Sequence, residues 1–148
     1  MSDFNVEIAW QRAPRAGHPD DYSRAHQWRL AGEQTLRASS APDYAGDAGH
    51  TNPEEALVAA VSSCHMLTFL AVADKRGFKV GSYRDQASGT LGKNAQGRMA
   101  VTEVVLRPVI VFDGAEPNAE ELDKLHESAH RNCFIGNSIT AQVRIATD

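Results

Sequence analysis

Two cysteines, Cys64 and Cys133, are the candidate reactive residues of this chain. Cys64 lies in the middle of an apolar segment that runs from Asn52 to Gly77. A buried free thiol packs like a small hydrophobic side chain, whereas a thiolate is a nucleophile that oxidants attack. Each cysteine therefore has two interpretations, inert core residue or reactive group, and its surroundings must decide between them.

A reactive Cys64 needs help to ionise. The helix dipole gives a mid-helix thiol little support, because its effect fades beyond the first turn, and burial raises the pKa of a thiol. A guanidinium within hydrogen-bond reach would favour the thiolate, and a carboxylate that grips this guanidinium would fix its direction. Arginine candidates precede the apolar segment or lie near Cys133: Arg12, Arg15, Arg24, Arg29, Arg37 and Arg131.

Glu54 and Glu55 are the candidate carboxylates. Glu55 stands three residues after Asn52, where a capping-box acid reaches back to the start of a helix. Glu54 precedes Cys64 by ten residues, which places it about 15 Å away along a straight helix. The two side chains cannot meet within one straight helix, so Glu54 serves Cys64 only if the helix breaks or if a second subunit supplies the glutamate.

The elements that position these residues follow from helix and strand signals. Asn52 and Pro53 predict a helix start, and Lys75 and Gly77 predict its end. Its apolar residues cover nearly the whole circumference, which indicates a central, buried helix.

The rest of the chain alternates between apolar and polar residues in short runs. The pattern predicts strands at 6–10, 26–30 and 35–38 around a loop at 12–22, then strands within 80–92 and 99–112, a helix opening at Asn118, and a strand over 139–145. Runs of antiparallel strands without βαβ alternation indicate an α+β fold whose antiparallel sheets wrap the central helix. The length favours a single domain over residues 1–148.

Composition excludes several classes of function. The formal charge is −4 and the chain has no dense Lys/Arg tract, which argues against a nucleic-acid partner. No phosphate-binding glycine motif occurs. We find no apolar run long enough to span a bilayer and no secretory leader, so we expect a cytoplasmic protein with no membrane partner. In that compartment we expect the two thiols to be redox-active or inert rather than a permanent crosslink.

The segment Thr51-Asn-Pro-Glu-Glu-Ala-Leu, Cys64 ten residues after Glu54, and Ala129-His-Arg-Asn-Cys133 resemble the OsmC/Ohr family of thiol-dependent hydroperoxide reductases. The resemblance implies an intertwined homodimer with two active sites at the subunit interface. It implies that Cys64 is the peroxidatic cysteine, that Cys133 is the resolving cysteine, and that Glu54 holds an arginine against the thiolate. It also implies a preference for organic hydroperoxides, a dithiol reductant such as a lipoyl group, and no metal or flavin cofactor.

The resemblance leaves two points open. In the Ohr branch the arginine follows the first strand, which corresponds to Arg24, and in the OsmC branch it lies nearer the helix, which corresponds to Arg37; we favour Arg24. Family members often carry Cys-Pro-x-Ser-Asn at the second cysteine, whereas Phe134 follows Cys133 here. The sequence does not decide whether Cys133 reaches Cys64.

Two alternatives use other residues. His126, His130 and Cys133 share one helical face, which suits a metal, and Cys64-His65 could complete such a site. A non-enzymatic dimeric module that holds an apolar ligand is the other alternative. Four apolar residues would line either its cavity or a pocket for alkyl hydroperoxides: Met66, Phe69, Phe134 and Trp28. His65 points about 100° away from Cys64 on a helix, so we expect it to line the site rather than act as its base.

Overall fold

The computed structural model describes residues 1–146. The backbone divides into two compact units, the first comprising Met1–Ala56 and the second beginning at Leu57. The first unit contains the strands β1 (Glu7–Ala9), β2 (Pro14–Arg15), β3 (His18–Tyr22), β4 (His26–Arg29) and β5 (Thr35–Ala38). Helix α1 (Pro53–Lys75) begins in the first unit and continues into the second. The second unit adds β6 (Val80–Asp85), β7 (Ser88–Lys93), β8 (Met99–Leu106), β9 (Pro108–Phe112), α2 (Ala119–Asn132) and β10 (Gln142–Ile145).

The first unit is built on a three-stranded antiparallel sheet in the order β1-β4-β5. The prediction of a loop over residues 12–22 was wrong, because β2 and β3 pair there as a small hairpin. Gly17 adopts a positive φ of 76° at its turn, a conformation that glycine takes at no steric cost. A two-stranded ribbon also tolerates Pro14 and Pro19, since its outer edges need no amide donors.

Helix α1 starts and ends where the sequence predicts. The Glu55 amide donates to the Asn52 Oδ1 at 2.8 Å, and the Glu55 carboxylate accepts from the Asn52 amide at 3.3 Å. Gly77 follows the helix with a φ of 84°. The helix is continuous over its 23 residues, which removes the alternative that a break brings Glu54 to Cys64.

The second unit confirms the α+β class and contains one pairing that the sequence pattern did not predict. β7 and β8 are antiparallel, as are β6 and β9, but β10 joins β8 in parallel. β10 follows α2, and a helix between two strands allows the crossover that parallel pairing requires. The alternation of β10 identified it as a strand but did not give its direction.

One chain buries only one stripe of α1. Val61, His65, Phe69 and Ala73 are buried, whereas Leu67, on another face, keeps 60% of its surface exposed. The expectation that α1 is buried around its whole circumference is therefore not met within a single chain. Phe69 and Ala73 pack with Leu125 and Ala129 of α2, and Val61 packs with residues of β8.

The expectation that no apolar run is long enough to span a bilayer needs correction. By length and composition alone α1 is long and apolar enough to cross a membrane, with a mean hydropathy of 1.9 over its most apolar window. The core helix of a soluble protein meets the same criterion, so this single helix is weak evidence for a membrane.

Gly89 in β7 allows α1 to approach the sheet closely. A Cβ atom at this position would lie 2.5 Å from the Val58 Cγ2, and a β-branched side chain on a helix has little freedom to move. We expect Gly89→Ala to lower the free energy of unfolding by about 1–3 kcal/mol through overpacking. Gly92→Ala is the matched control, because its Cβ would meet Thr102 at an ordinary 3.5 Å. Equal urea midpoints for the two variants would contradict the expectation.

Candidate active site

The structure brings Cys64 and Cys133 together. Cys64 is partly buried near the middle of α1, and Cys133 is 2% exposed at the C-terminal cap of α2. Both thiols are free, and each one affects the pKa of the other, so the two side chains lie close together. Cys133 thus lies near enough to Cys64 to influence its pKa, and whether the two sulfurs form a disulfide stays a prediction.

Helix α2 carries Cys133 to this place through local signals and packing. The Asn118 side chain accepts from the Glu121 amide at 2.8 Å, and the Glu121 carboxylate accepts from the Asn118 amide at 3.0 Å. This capping box fixes the start of the helix. Leu125 and Ala129 then pack against α1, so the end of α2 is directed towards the middle of that helix.

A tight turn follows Cys133. The Cys133 carbonyl accepts from the Asn137 amide at 2.9 Å, and the Cys133 sulfur accepts from the Gly136 amide at 3.3 Å. The Ile135 side chain packs against the cluster that contains Val61, one turn before Cys64 on α1. The turn is thereby held with its first amides facing the Cys64 sulfur.

These amides determine the acidity of Cys64. Burial raises the pKa of the Cys64 thiol, but hydrogen bonds from the Ile135 backbone and from the Cys133 thiol act in the opposite direction. The Phe134 backbone and the Thr68 side chain add to this effect, and the pKa of Cys64 falls below its ordinary value. Donors to a charged sulfur favour the thiolate in the same way as a nearby cation.

Cys133 has the opposite tendency. Burial raises its pKa, the Gly136 amide lowers it, and the hydrogen bond and the negative charge of Cys64 raise it again, so the pKa of Cys133 lies above its ordinary value. The acidity is therefore divided unequally between the pair, because Cys64 ionises more readily than Cys133. This is the division that nucleophilic attack followed by disulfide formation requires.

Sequence reasoning sought an arginine beside Cys64 and missed the backbone donors. Side-chain types reveal cations but not the direction of an amide. One signal was present: a proline after the second cysteine would lack an amide hydrogen, whereas Phe134 has one.

Arg24 and Glu54 both lie in the first unit and do not pair with each other there. The Arg24 guanidinium donates to the Asp21 carboxylate and to the Tyr22 carbonyl, and it stacks 3.9 Å from the centre of the Tyr22 ring. Asp21 raises the pKa of Arg24, and Arg24 lowers the pKa of Asp21. The Glu54 Oε2 is buried and has no hydrogen-bond partner among residues 1–146. Arg37 lies on β5 opposite Gln27.

The four predicted lining residues have different environments. Phe69 is fully buried between the Tyr83 and His126 rings, which is a core position. Met66 is half-buried on α1, and Phe134 beside Cys133 is 81% exposed. Trp28 lies in the first unit, where its indole nitrogen donates to the His26 Nε2 at 3.0 Å.

The histidines do not form the alternative metal site. The His126 Nδ1 lies 3.0 Å from the His65 Nε2, so this nitrogen is hydrogen-bonded to another imidazole. Within the described residues no group of three or more His, Cys, Asp or Glu side chains could hold a metal ion. His65 is 1% exposed, so the expectation that it lines the site was wrong. Burial and the charge of His126 lower the pKa of His65 to about 4.

Comparisons with known proteins agree with this architecture. The model of the OsmC-like protein family matches residues 46–148. The chain therefore belongs to the OsmC-like protein family. It is 42% identical to an OsmC-like protein of unknown function from Vibrio cholerae, and the structures superpose with a TM-score of 0.91 over 99% of both chains.

More distant proteins are also similar to this chain. An organic hydroperoxide resistance protein from Legionella pneumophila is 16% identical, with a TM-score of 0.73 over 99% of this chain and 98% of its own. The uncharacterized protein YmaD of Bacillus subtilis is 24% identical over 97 residues. That match covers 64% of each protein, so the chain spans a little under two thirds of this curated relative.

The Phe134 amide gives a direct test of the thiolate environment. We expect Phe134→Pro to raise the pKa of Cys64, because proline removes one of the donors that lower it. Phe134→Ala is the matched control, since it removes the exposed ring and keeps the amide. The measurement is the pH dependence of Cys64 alkylation, followed by peptide mass analysis. A proline variant with the same apparent pKa as the alanine variant would exclude a role for this amide.

Proposed function

We propose that this protein is a cysteine-based peroxidase that reduces hydroperoxides, organic ones in preference to hydrogen peroxide. The observation that carries the proposal is the pair of adjacent free thiols with opposite pKa shifts, lowered at Cys64 and raised at Cys133. Membership of the OsmC-like family and the shared fold with a hydroperoxide resistance protein are consistent with it.

The proposed reaction has two steps at these sulfurs. The Cys64 thiolate attacks the terminal oxygen of the hydroperoxide, the O–O bond breaks, and the alcohol leaves after taking up a proton. Cys64 is then a sulfenic acid. The Cys133 thiol attacks this sulfur, which forms the Cys64–Cys133 disulfide and releases water. A dithiol of the lipoyl type returns two electrons, so the proposed cycle needs no metal or flavin.

The exposed apolar part of Phe134 supports an organic substrate. It is 81% exposed directly beside Cys133, and half-buried Met66 lies two residues after Cys64 on α1. Binding becomes more favourable when an alkyl or aromatic group of a hydroperoxide covers this apolar surface, whereas hydrogen peroxide has no apolar group to bury. The proposed preference for organic hydroperoxides over hydrogen peroxide therefore comes from apolar contacts away from the reacting oxygen atoms.

We propose that the active unit is a homodimer. In one chain, apolar side chains alternate outwards along β9, where Val109 and Val111 are 66% and 57% exposed, and Leu67 projects from α1. Monomeric soluble proteins rarely leave so many large apolar side chains in contact with water, and a second copy would cover them.

The dimer also offers a role for Glu54. Its buried Oε2 has no partner within the described residues, and a buried carboxylate oxygen without a donor is costly. An arginine of the assembly, Arg24 in our proposal, would satisfy it and approach the Cys64 thiolate of the other subunit. Because Asp21 now holds Arg24, this role requires the guanidinium to exchange or share its carboxylate.

Stopped-flow kinetics test the function. We expect cumene hydroperoxide to consume one thiol rapidly, then the second, and to leave a Cys64–Cys133 disulfide detectable by peptide mass. Hydrogen peroxide should react more slowly by about tenfold or more. Cys64→Ser should abolish the reaction, and Cys133→Ser should retain the first step and accumulate sulfenic acid. Slow and unselective oxidation of both thiols would instead indicate a binding protein without peroxidase activity.

Mixed dimers test the site across subunits. We expect Cys64→Ser and Glu54→Gln proteins to be nearly inactive alone, because one lacks the nucleophile and the other lacks the carboxylate. Co-expressed with different tags and purified as the mixed dimer, they should regain one intact site if Glu54 serves the partner subunit's thiol. Arg24→Ala and Arg37→Ala, each combined with Cys64→Ser, should identify the arginine. A mixed dimer without peroxidase activity would place Glu54 outside the site.

A further inference from the structure

Two buried histidines form a bridge between the helices that carry the cysteines. His65 on α1 is 1% exposed and His126 on α2 is 7% exposed, and their Nε2 and Nδ1 atoms lie 3.0 Å apart. The rings are nearly parallel, with an angle of 12° between their planes and 5.3 Å between their centres. In a hydrogen bond between two imidazoles one nitrogen donates and the other accepts, so a neutral pair adopts one of two combinations of tautomers.

The bridge lies close to both sulfurs along the chain. His65 directly follows Cys64, and His126 precedes Cys133 by seven residues, about 10 Å along a helix. Phe69, one turn after His65, packs its ring 4.6 Å from the centre of the His126 ring. Any sliding or rotation of α2 along α1 would therefore change the place of Cys133 relative to Cys64.

Apolar contacts alone would define the position of Cys133 relative to Cys64 poorly. The contacts of Leu125 and Ala129 with α1 are not directional, so small displacements of α2 exchange one apolar contact for another. A hydrogen bond between ring nitrogens restricts both distance and angle. Displacement would leave two buried imidazole nitrogens without partners in addition to the His65 Nδ1, which already has none within residues 1–146.

A disulfide needs accurate placement of its two halves. The Cα atoms of bridged cysteines are usually about 4.4–6.8 Å apart, and deviations store strain in the bond. We propose that the His65–His126 bridge is a positioning device that fixes the register of α2 on α1 and thereby sets how readily Cys64 and Cys133 form their disulfide. Neither histidine needs to touch the peroxide or to carry a proton in this role.

The proposal deepens the proposed function by assigning control of its second step, and it rests on that function for the reaction driven by peroxide. The thiol–disulfide equilibrium itself needs only the two thiols. In oxidised dithiothreitol, Cys64 and Cys133 lose two electrons and two protons, the S–S bond forms in the protein, and the reagent's own disulfide is reduced to two thiols. This equilibrium can be measured whether or not the protein reduces hydroperoxides.

Three variants distinguish the effect of the His65–His126 hydrogen bond from the effect of ring packing. His126→Phe keeps a ring against Phe69 and removes the Nδ1 atom. His126→Asn places an amide group near the former Nδ1 and keeps a hydrogen-bonding group there. The double change His65→Leu with His126→Leu leaves no buried nitrogen unpaired, so it retains stability even if His126→Phe fails to fold. His130→Phe is the matched control, because His130 is exposed one turn further along α2.

The equilibrium constant for disulfide formation in a dithiothreitol redox buffer is the test. We expect this equilibrium constant to be about tenfold lower in His126→Phe and in the double leucine protein than in the wild type. The reduction potential of the Cys64–Cys133 pair is then about 30 mV higher. His126→Asn and His130→Phe should stay within about twofold of the wild type. A wild-type equilibrium constant in the folded double leucine protein would overturn the proposal, as would an equal loss in His126→Asn and His126→Phe.

Stopped-flow kinetics add a second measurement that a general loss of structure would not reproduce. With cumene hydroperoxide, the oxidation of Cys64 should keep its wild-type rate in the double leucine protein, while disulfide formation slows by about tenfold. A parallel fall of both rates would overturn the proposal. If the wild type does not react with peroxide, the proposed function fails, and the dithiothreitol equilibrium still decides the role of the histidine bridge.

Discussion

Ionisation of the Cys64 sulfur depends on hydrogen bonds that reach it from outside its own apolar helix. A charged sulfur loses hydration when it is buried, and the helix dipole gives little compensation in the middle of a helix. In the second unit the compensation comes from the turn after α2, through the Ile135 and Phe134 backbones and the Cys133 thiol. These hydrogen bonds to the Cys64 sulfur depend on the position of the turn. Three features hold the turn in place: the capping of α2, the packing of α2 on α1, and the burial of Ile135.

The pair of thiols is also asymmetric. Burial is the largest cause of the raised pKa of Cys133, and the hydrogen bond that favours the charged form of Cys64 raises it further. An arginine from a second subunit would strengthen the thiolate further, but the direction of the asymmetry does not depend on it. The difference in acidity between the two thiols therefore comes from the second unit alone, separately from the activation that we propose for Glu54 and an arginine.

Much of the fold could be predicted from local signals in the sequence. The Asn-x-x-Glu patterns at Asn52 and Asn118 predict the starts of α1 and α2 correctly, because a capping box depends only on neighbouring residues. The hairpin formed by β2 and β3 was missed, since proline and glycine can either end a strand or turn a ribbon. The parallel direction of β10 and the bond between His65 and His126 depend on residues far apart in the chain, and no local pattern encodes them. The amides of residues 134 and 135 were missed because backbone groups carry no sequence signature.

The parallel pairing of β10 with β8 has a consequence for how the chain matures on the ribosome. Ile135 and Val143 pack on the same cluster as Val104 of β8, so the turn that faces Cys64 is anchored together with a strand made much later than α1. During synthesis Cys64 emerges roughly seventy residues before its donors, at a stage when its thiol has no reason to ionise. The surroundings that lower the pKa of Cys64 are therefore complete only late, once the polypeptide has closed this long-range contact.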